Sequence, residues 1–338
     1  MTLRLDVGFL VLGGVATTLL RVSQRTGWPE TICEASAWSV AAIGVFFAGD
    51  MRARFELMLE RMFHRDAIRF PESKRESHQT QLRRGIQSLA DRGGIIGALA
   101  LPGVLLIAYL SLFSLQQDLL VGITWLLEII AAAMVGNHVG RGVVYGLLGN
   151  ILKLHGASVI VKASHPDGAA GLKPAGEFYS FQACLLMIPT AFFAIWWLII
   201  RLWIDTPPLV DWQNWYLVFF AIAIACELIA FAYPLLFFHQ QMKSRKRELL
   251  SSADEIGDRI VAIKTQLRSE SATNRIKIME DELAGLSEQY NSIEELPTWP
   301  FDQSLRRRLA ISNVTLVVPV IVGNLDKVKE ALKSLFSG

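Results

Sequence analysis

Four stretches of this chain, residues 93–115, 119–136, 180–204 and 215–238, are apolar almost throughout. Runs of this kind narrow the choice of fold sharply. A helix needs about 20 mostly apolar residues to cross a hydrocarbon layer roughly 30 Å thick, and one that is apolar all round has no face to offer water. Each run therefore predicts a transmembrane helix. Two shorter runs, 7–20 and 32–49, come first. Between them lie Arg21, Arg25, the turn signal Gly27-Trp28-Pro29, and Glu30. Gly, Trp and Pro at such a point suit a turn at the membrane surface. The first run has the length of a signal-peptide core and follows Arg4, but no A-x-A cleavage pattern follows it. We read it as a retained helix.

Charge in the connecting segments gives the orientation. Segment 51–92 holds ten Lys/Arg against six Asp/Glu, whereas Gln116-Gln117-Asp118 holds no basic residue. Segment 137–179 carries Arg141, Lys153, Lys162 and Lys173, while 205–214 has two Asp and no Lys or Arg. After the last span come Lys243, Arg245, Lys246 and Arg247. Basic and non-basic loops alternate, so the positive-inside rule places both termini and the basic loops in the cytoplasm. Six spans satisfy every loop. Four spans, with 7–20 and 32–49 lying on the membrane, keep the same signs. Trp196, Trp197, Trp203, Trp212 and Trp215 surround the external loop, as an aromatic belt would.

Beyond the last span the apolar period changes. Leu249, Ala253, Ile256, Ile260, Ile263 and Leu267 step by threes and fours, as do Ile276, Met279, Leu283, Leu286, Tyr290 and Ile293. Two such seams broken at 269–274 predict an antiparallel helical hairpin. Pro297 and Pro300 end its second arm. Arg306-Arg307-Arg308 then precedes the β-branched run 309–322, which is short for a span and reads as a re-entrant or membrane-proximal piece. Residues 326–336 have the pattern of a short amphipathic helix.

The expected fold is thus all-α: a polytopic bundle of about six transmembrane helices with a cytoplasmic antiparallel hairpin. Its parts are an N-terminal membrane hairpin (1–50), a basic cytoplasmic loop (51–92), and a bundle (93–238) containing a cytoplasmic loop (137–179). The helical hairpin (239–296) and a membrane-proximal segment (297–338) complete it. Composition agrees, with 52% hydrophobic and 19% charged residues against about 25% charged in soluble domains. A net charge of +2 with no clustered basic face gives no reason to expect a nucleic-acid partner. Cys33, Cys184 and Cys226 are odd in number and lie in apolar runs, so neither disulfides nor a zinc site is expected.

Two strings, His165-Pro166-Asp167-Gly168-Ala169-Ala170-Gly171-Leu172 and Pro297-Thr298-Trp299-Pro300-Phe301-Asp302, stand in this order with two apolar helices and a hairpin between them. The pair resembles a family of uncharacterised multi-pass bacterial membrane proteins over roughly 165–322. The resemblance implies a fold and a bacterial source, and no activity.

Two groups carry chemistry. His165, Asp167, Gly168, Gly171 and Glu177 form a glycine-rich polar loop. It suits either a ligand site or a turn in which Asp167 caps backbone N–H groups. Glu128 and Glu227 lie deep in apolar spans, where a charge costs about 2.5 kcal/mol or more and a partner is expected. No intramembrane Lys or Arg is an obvious partner; Arg141 and Arg201 lie nearer the helix ends. A third string, Asn137-His138-Val139-Gly140-Arg141-Gly142, has a glycine spacing that favours close helix approach. Walker A, HExxH, GxSxG, kinase and dinucleotide signatures are absent, so no catalytic residue, cofactor or metal is assigned.

The function expected is a membrane scaffold or signalling component, its partners being the lipid bilayer and either a second copy or a cytoplasmic protein. The alternative is an ion channel or transporter using Glu128 and Glu227. An enzyme built on the His165 loop comes third.

Overall fold

The computed structural model describes residues 5–23, 27–70, 75–112, 119–162, 165–204, 207–269, 273–294 and 296–300. Nearly all of them are helical. The order is α1 (Leu5–Ser23), α2 (Trp28–Ala48), α3 (Met51–His64), β1 (Ile68–Arg69), α4 (Arg75–Leu112), α5 (Leu119–Gly146) and α6 (Leu148–Leu154). Then follow β2 (Ser158–Val159), α7 (Lys173–Trp203), α8 (Pro207–Glu227), a π-turn (Leu228–Ala232), α9 (Tyr233–Ser269) and α10 (Thr273–Glu294). Six helical stretches are long and apolar enough to cross a membrane. The run 309–322 and the tail lie outside the described residues.

The two N-terminal helices belong to this set. At 19 and 21 residues, α1 and α2 reach about 28–32 Å at 1.5 Å per residue. They pack on each other and on α5, and α2 also packs on α7. Gly13 and Gly14 of α1 lie against the Trp38 ring of α2, where an added Cβ would come within 3.0 and 2.8 Å. Leu10, Trp38, Val45 and Ala131 form the buried centre of the α1–α2–α5 contact.

The closest helix contact joins α4 and α5. Gly93 and Gly97 on one face Gly136 and Gly140 on the other, and a Cβ on any of the last three would overlap the opposing backbone carbonyl. Four small residues thus let two backbones touch, which no longer side chain permits.

The basic segment 51–92 is itself folded. Met51, Phe55, Met58, Leu59 and Met62 recur at helical spacing and bury one face of α3. That face meets the first turns of α4 (Leu82, Ile86), the end of α5 with α6 (Tyr145, Leu148, Leu152), and the start of α7 (Leu172, Phe178, Tyr179). Leu235, Phe238 and Met242 of α9 close the cluster, and Trp299 packs against it. The largest core among the described residues therefore sits at one end of the bundle, knitted mostly from segments expected to be loops. The two short strands, paired antiparallel as Ile68 with Val159 and Arg69 with Ser158, tie two of those segments together.

Two of the tryptophans at the other end lie inside the bundle. Trp196 and Trp197 are buried, and Trp196 Nε1 donates to the Ser36 hydroxyl at 2.9 Å. Trp215 Nε1 donates to the Ser111 hydroxyl at 3.0 Å. Their N–H groups find partners between helices, as apolar surroundings require.

Helices α8 and α9 form one rod. Pro234 has no N–H to continue the ladder, and the Tyr233 N–H reaches back five residues to the Leu228 carbonyl, giving the π-turn. The rod nevertheless continues to Ser269, and α10 packs back along it. Arg259 Nη2 lies 2.6 Å from Glu282 Oε1. Lys246 Nζ donates to the carbonyls of Glu294 and Leu296, the latter at 3.2 Å. These pairs fix opposite chain directions. On α9, Ala253 and Ile263 are buried, and Leu249, Ile256, Ile260 and Leu267 are partly sheltered. Where α10 ends, the His239 ring stacks on Trp299 with centroids 4.2 Å apart, and the Thr298 carbonyl lies 2.7 Å from His239 Nδ1. The Pro-Thr-Trp-Pro string thereby fastens the helix pair to its root.

Candidate functional site

The His-Pro-Asp-Gly loop lies at the core end, between β2 and α7. Its turn needs three left-handed backbone positions, Gly168 at φ 66°, Ala170 at 53° and Gly171 at 88°. Glycine takes such values without strain; alanine at 170 does not, and must be held. Asp167 holds it. Its Oδ1 accepts the N–H groups of Ala169 (3.0 Å) and Gly171 (2.9 Å). Its Oδ2 accepts Arg65 Nη1 at 2.6 Å and the Lys173 N–H at 3.4 Å. A carboxylate offers about four lone-pair sites, so these donors use its capacity. Burial alone would raise the Asp167 carboxyl, but the N–H groups of Gly171 and Ala169, the adjacent His165 and the Lys173 N–H outweigh it and hold the group below its ordinary value.

His165 joins this network, its Nδ1 being 3.3 Å from the Asp167 N–H. Glu177 does not; it points to Arg61 at 3.6 Å, half exposed. His155 is separate, its Nδ1 lying 2.9 Å from the Ile151 carbonyl. The loop thus unites His165, Asp167, Gly168 and Gly171 around a turn that fastens α3 to α7. Among the described residues, no group of three or more His, Cys, Asp or Glu side chains is placed to hold a metal.

Glu128 and Glu227 are not brought together. Glu227, the last residue of α8, lies close to Thr190 on α7. The Thr190 hydroxyl in turn donates to the Leu186 carbonyl at 2.9 Å. Glu128 instead lines a cavity of about 840 Å³ among the apolar helices, and Glu227 does not. Arg21, Glu30 and Glu34 line the same cavity, and Glu128 is within electrostatic reach of Arg21 and Glu34. Arg21 Nε is 2.6 Å from Glu34 Oε2. Arg21 of α1 thus lines the same cavity as Glu128, but its ion pair is with Glu34. Arg21 and Glu30 were expected in a surface turn; the packing of α1 and α2 against α5 makes them part of the wall that also holds Glu128.

The remaining wall is aromatic and aliphatic. Trp38, Trp125, Phe192, Phe193 and Tyr216 contribute rings, and the Tyr216 hydroxyl pairs with the Cys33 thiol at 2.8 Å. Farther along, Gln182 of α7 is buried and donates to the Gly142 carbonyl at 2.6 Å. All three cysteines are free. No family model matches the chain, and neither a curated protein nor a solved structure matches it.

Proposed function

We propose that the protein is an integral scaffold or signalling component of a bacterial inner membrane, with both termini and the α9/α10 hairpin in the cytoplasm. The hairpin engages a partner protein or a second copy. The observation that carries this reading is the unbroken α8–α9 rod, which leads from the tryptophan-rich end of the bundle, past the large core, into the paired helices. Its root is clamped by Trp299 and Lys246, so the hairpin is held in a defined direction. Basic residues Lys243, Arg245, Lys246 and Arg247 follow the apolar part of the rod, which supports a cytoplasmic placement. Val261 and Ile278 supply the contact surface, at 63% and 67% exposure outside the helix seam. The bacterial source rests on the paired sequence motifs.

A transport reading draws support from Glu128 on the cavity wall. It loses Glu227, which lies off that wall, and the wall is mainly apolar, whereas a conducting path needs successive polar positions.

Photo-crosslinking in intact cells tests the proposal. A photoreactive residue at 261 or 278 is expected to give a discrete adduct heavier than the 37.6 kDa chain. Its mass identifies a second copy or another protein. Full-length, membrane-inserted protein that gives no adduct at either position would overturn the reading.

A further inference from the structure

The cavity among α1, α2, α4, α5, α7 and α8 has a consistent chemical sign. Four of the residues that line it each carry a buried side-chain oxygen without a hydrogen-bond partner among the described residues: Glu30 Oε2, Glu34 Oε1, Glu128 Oε2 and Gln182 Oε1. All four are acceptor oxygens. Glu34 has a side chain only 9% exposed, and Gln182 is fully buried. Buried acceptors left unpaired are expensive, and a native structure normally satisfies them. Three carboxylates face one guanidinium, and Arg21 is already joined to Glu34. Carboxylates thus outnumber cationic side chains among these lining residues.

Its size and wall narrow the occupant. A cavity of about 840 Å³ falls in the range of small-molecule sites, roughly 300–1,000 Å³. A bare metal ion needs several oxygens converging within about 2.6 Å, and among the described residues no such group exists. Rings of Trp38, Trp125, Phe192, Phe193 and Tyr216 offer π-faces, which attract cations and bury apolar surface together. We propose that this cavity binds a lipophilic organic cation, its positive centre near Glu128 and Glu34 and its apolar body against the aromatic wall. This site is independent of the hairpin's partner.

The test uses the purified full-length chain in lipid nanodiscs and two probes of nearly the same shape and opposite charge, tetraphenylphosphonium and tetraphenylborate. Equilibrium binding of each is measured, with empty nanodiscs as the background. The cation is expected to bind saturably, and the anion only at background level. Glu128→Gln, which keeps the shape, should weaken cation binding at least tenfold, while Glu227→Gln, off the cavity, should leave it unchanged. Thermal melts on the same preparations establish that both variants are folded. Equal binding of the two probes, binding of the cation at background level, or full affinity in folded Glu128→Gln would each overturn the proposal. The comparison of the two probes on the wild-type chain decides the matter even if Glu128→Gln does not fold.

Discussion

Gly97→Val is expected to separate α4 from α5 and leave little folded protein in the membrane. The new Cβ would overlap the Gly136 carbonyl, and Gly136→Val would overlap the Gly97 carbonyl in return. Overpacking a core usually costs about 1–3 kcal/mol because side chains can shift aside. Here each obstacle is the backbone of a helix with its own ladder intact, so relief requires moving a whole span, and the loss should reach the top of that range or exceed it. Gly103→Val and Gly122→Val are the controls. They lie on the same two helices, and a Cβ at either meets nothing within 4 Å. Melting in detergent should drop sharply for the first pair and stay near wild type for the second. A Gly97→Val protein melting with its controls would show that the helices do not touch there.

Asp167→Ala carries the second large effect. It releases three backbone N–H groups and the Arg65 guanidinium at once, and it removes the bonds that hold Ala170 in a left-handed conformation. Breaking a buried pair by deleting one partner costs about 3–5 kcal/mol. Arg65 is 30% exposed and regains water, so the lower part of that range is expected. Asp167→Asn retains an acceptor and should lose less. The acid limb of stability separates charge from shape. The folded carboxyl sits below its ordinary value of 3.8, so it releases its proton more readily than in the unfolded chain. Its contribution is complete above the unfolded value and disappears as pH falls through the folded one. Wild-type protein should lose melting temperature over that window more steeply than Asp167→Asn. Parallel acid limbs would show that the ionised carboxylate is not what holds the turn.

The spans were legible because a membrane helix writes itself locally, in one continuous apolar run. The end core was less so. Met51, Phe55, Met58, Leu59 and Met62 do carry a helical period, but Arg52, Arg54, Arg61 and Arg65 among them read as a basic loop, and the partners of that face come from five other elements. The Asp167 turn could be anticipated from Pro-Asp-Gly, whereas its bond to Arg65 spans about a hundred residues and leaves no sequence period. The cavity was hidden for the same reason. Arg21, Glu34 and Glu128 come from three helices, and hydropathy counts Arg21 as the flank of a turn and passes over Glu34 inside the short run 32–49. Glu128 and Glu227 looked alike as isolated acids in apolar spans; only their neighbours distinguish them.

The proposed function requires that one rod cross the bilayer, with α8 beginning outside and α9 ending in a cytoplasmic hairpin. Paired reporters on that rod test it most directly. Alkaline phosphatase, active only outside the cytoplasm, and a fluorescent protein that matures inside are fused in turn after Asp211 and after Arg247. Phosphatase activity without fluorescence is expected at Asp211, and fluorescence without phosphatase activity at Arg247. The same compartment at both points, or the reverse assignment, would contradict it.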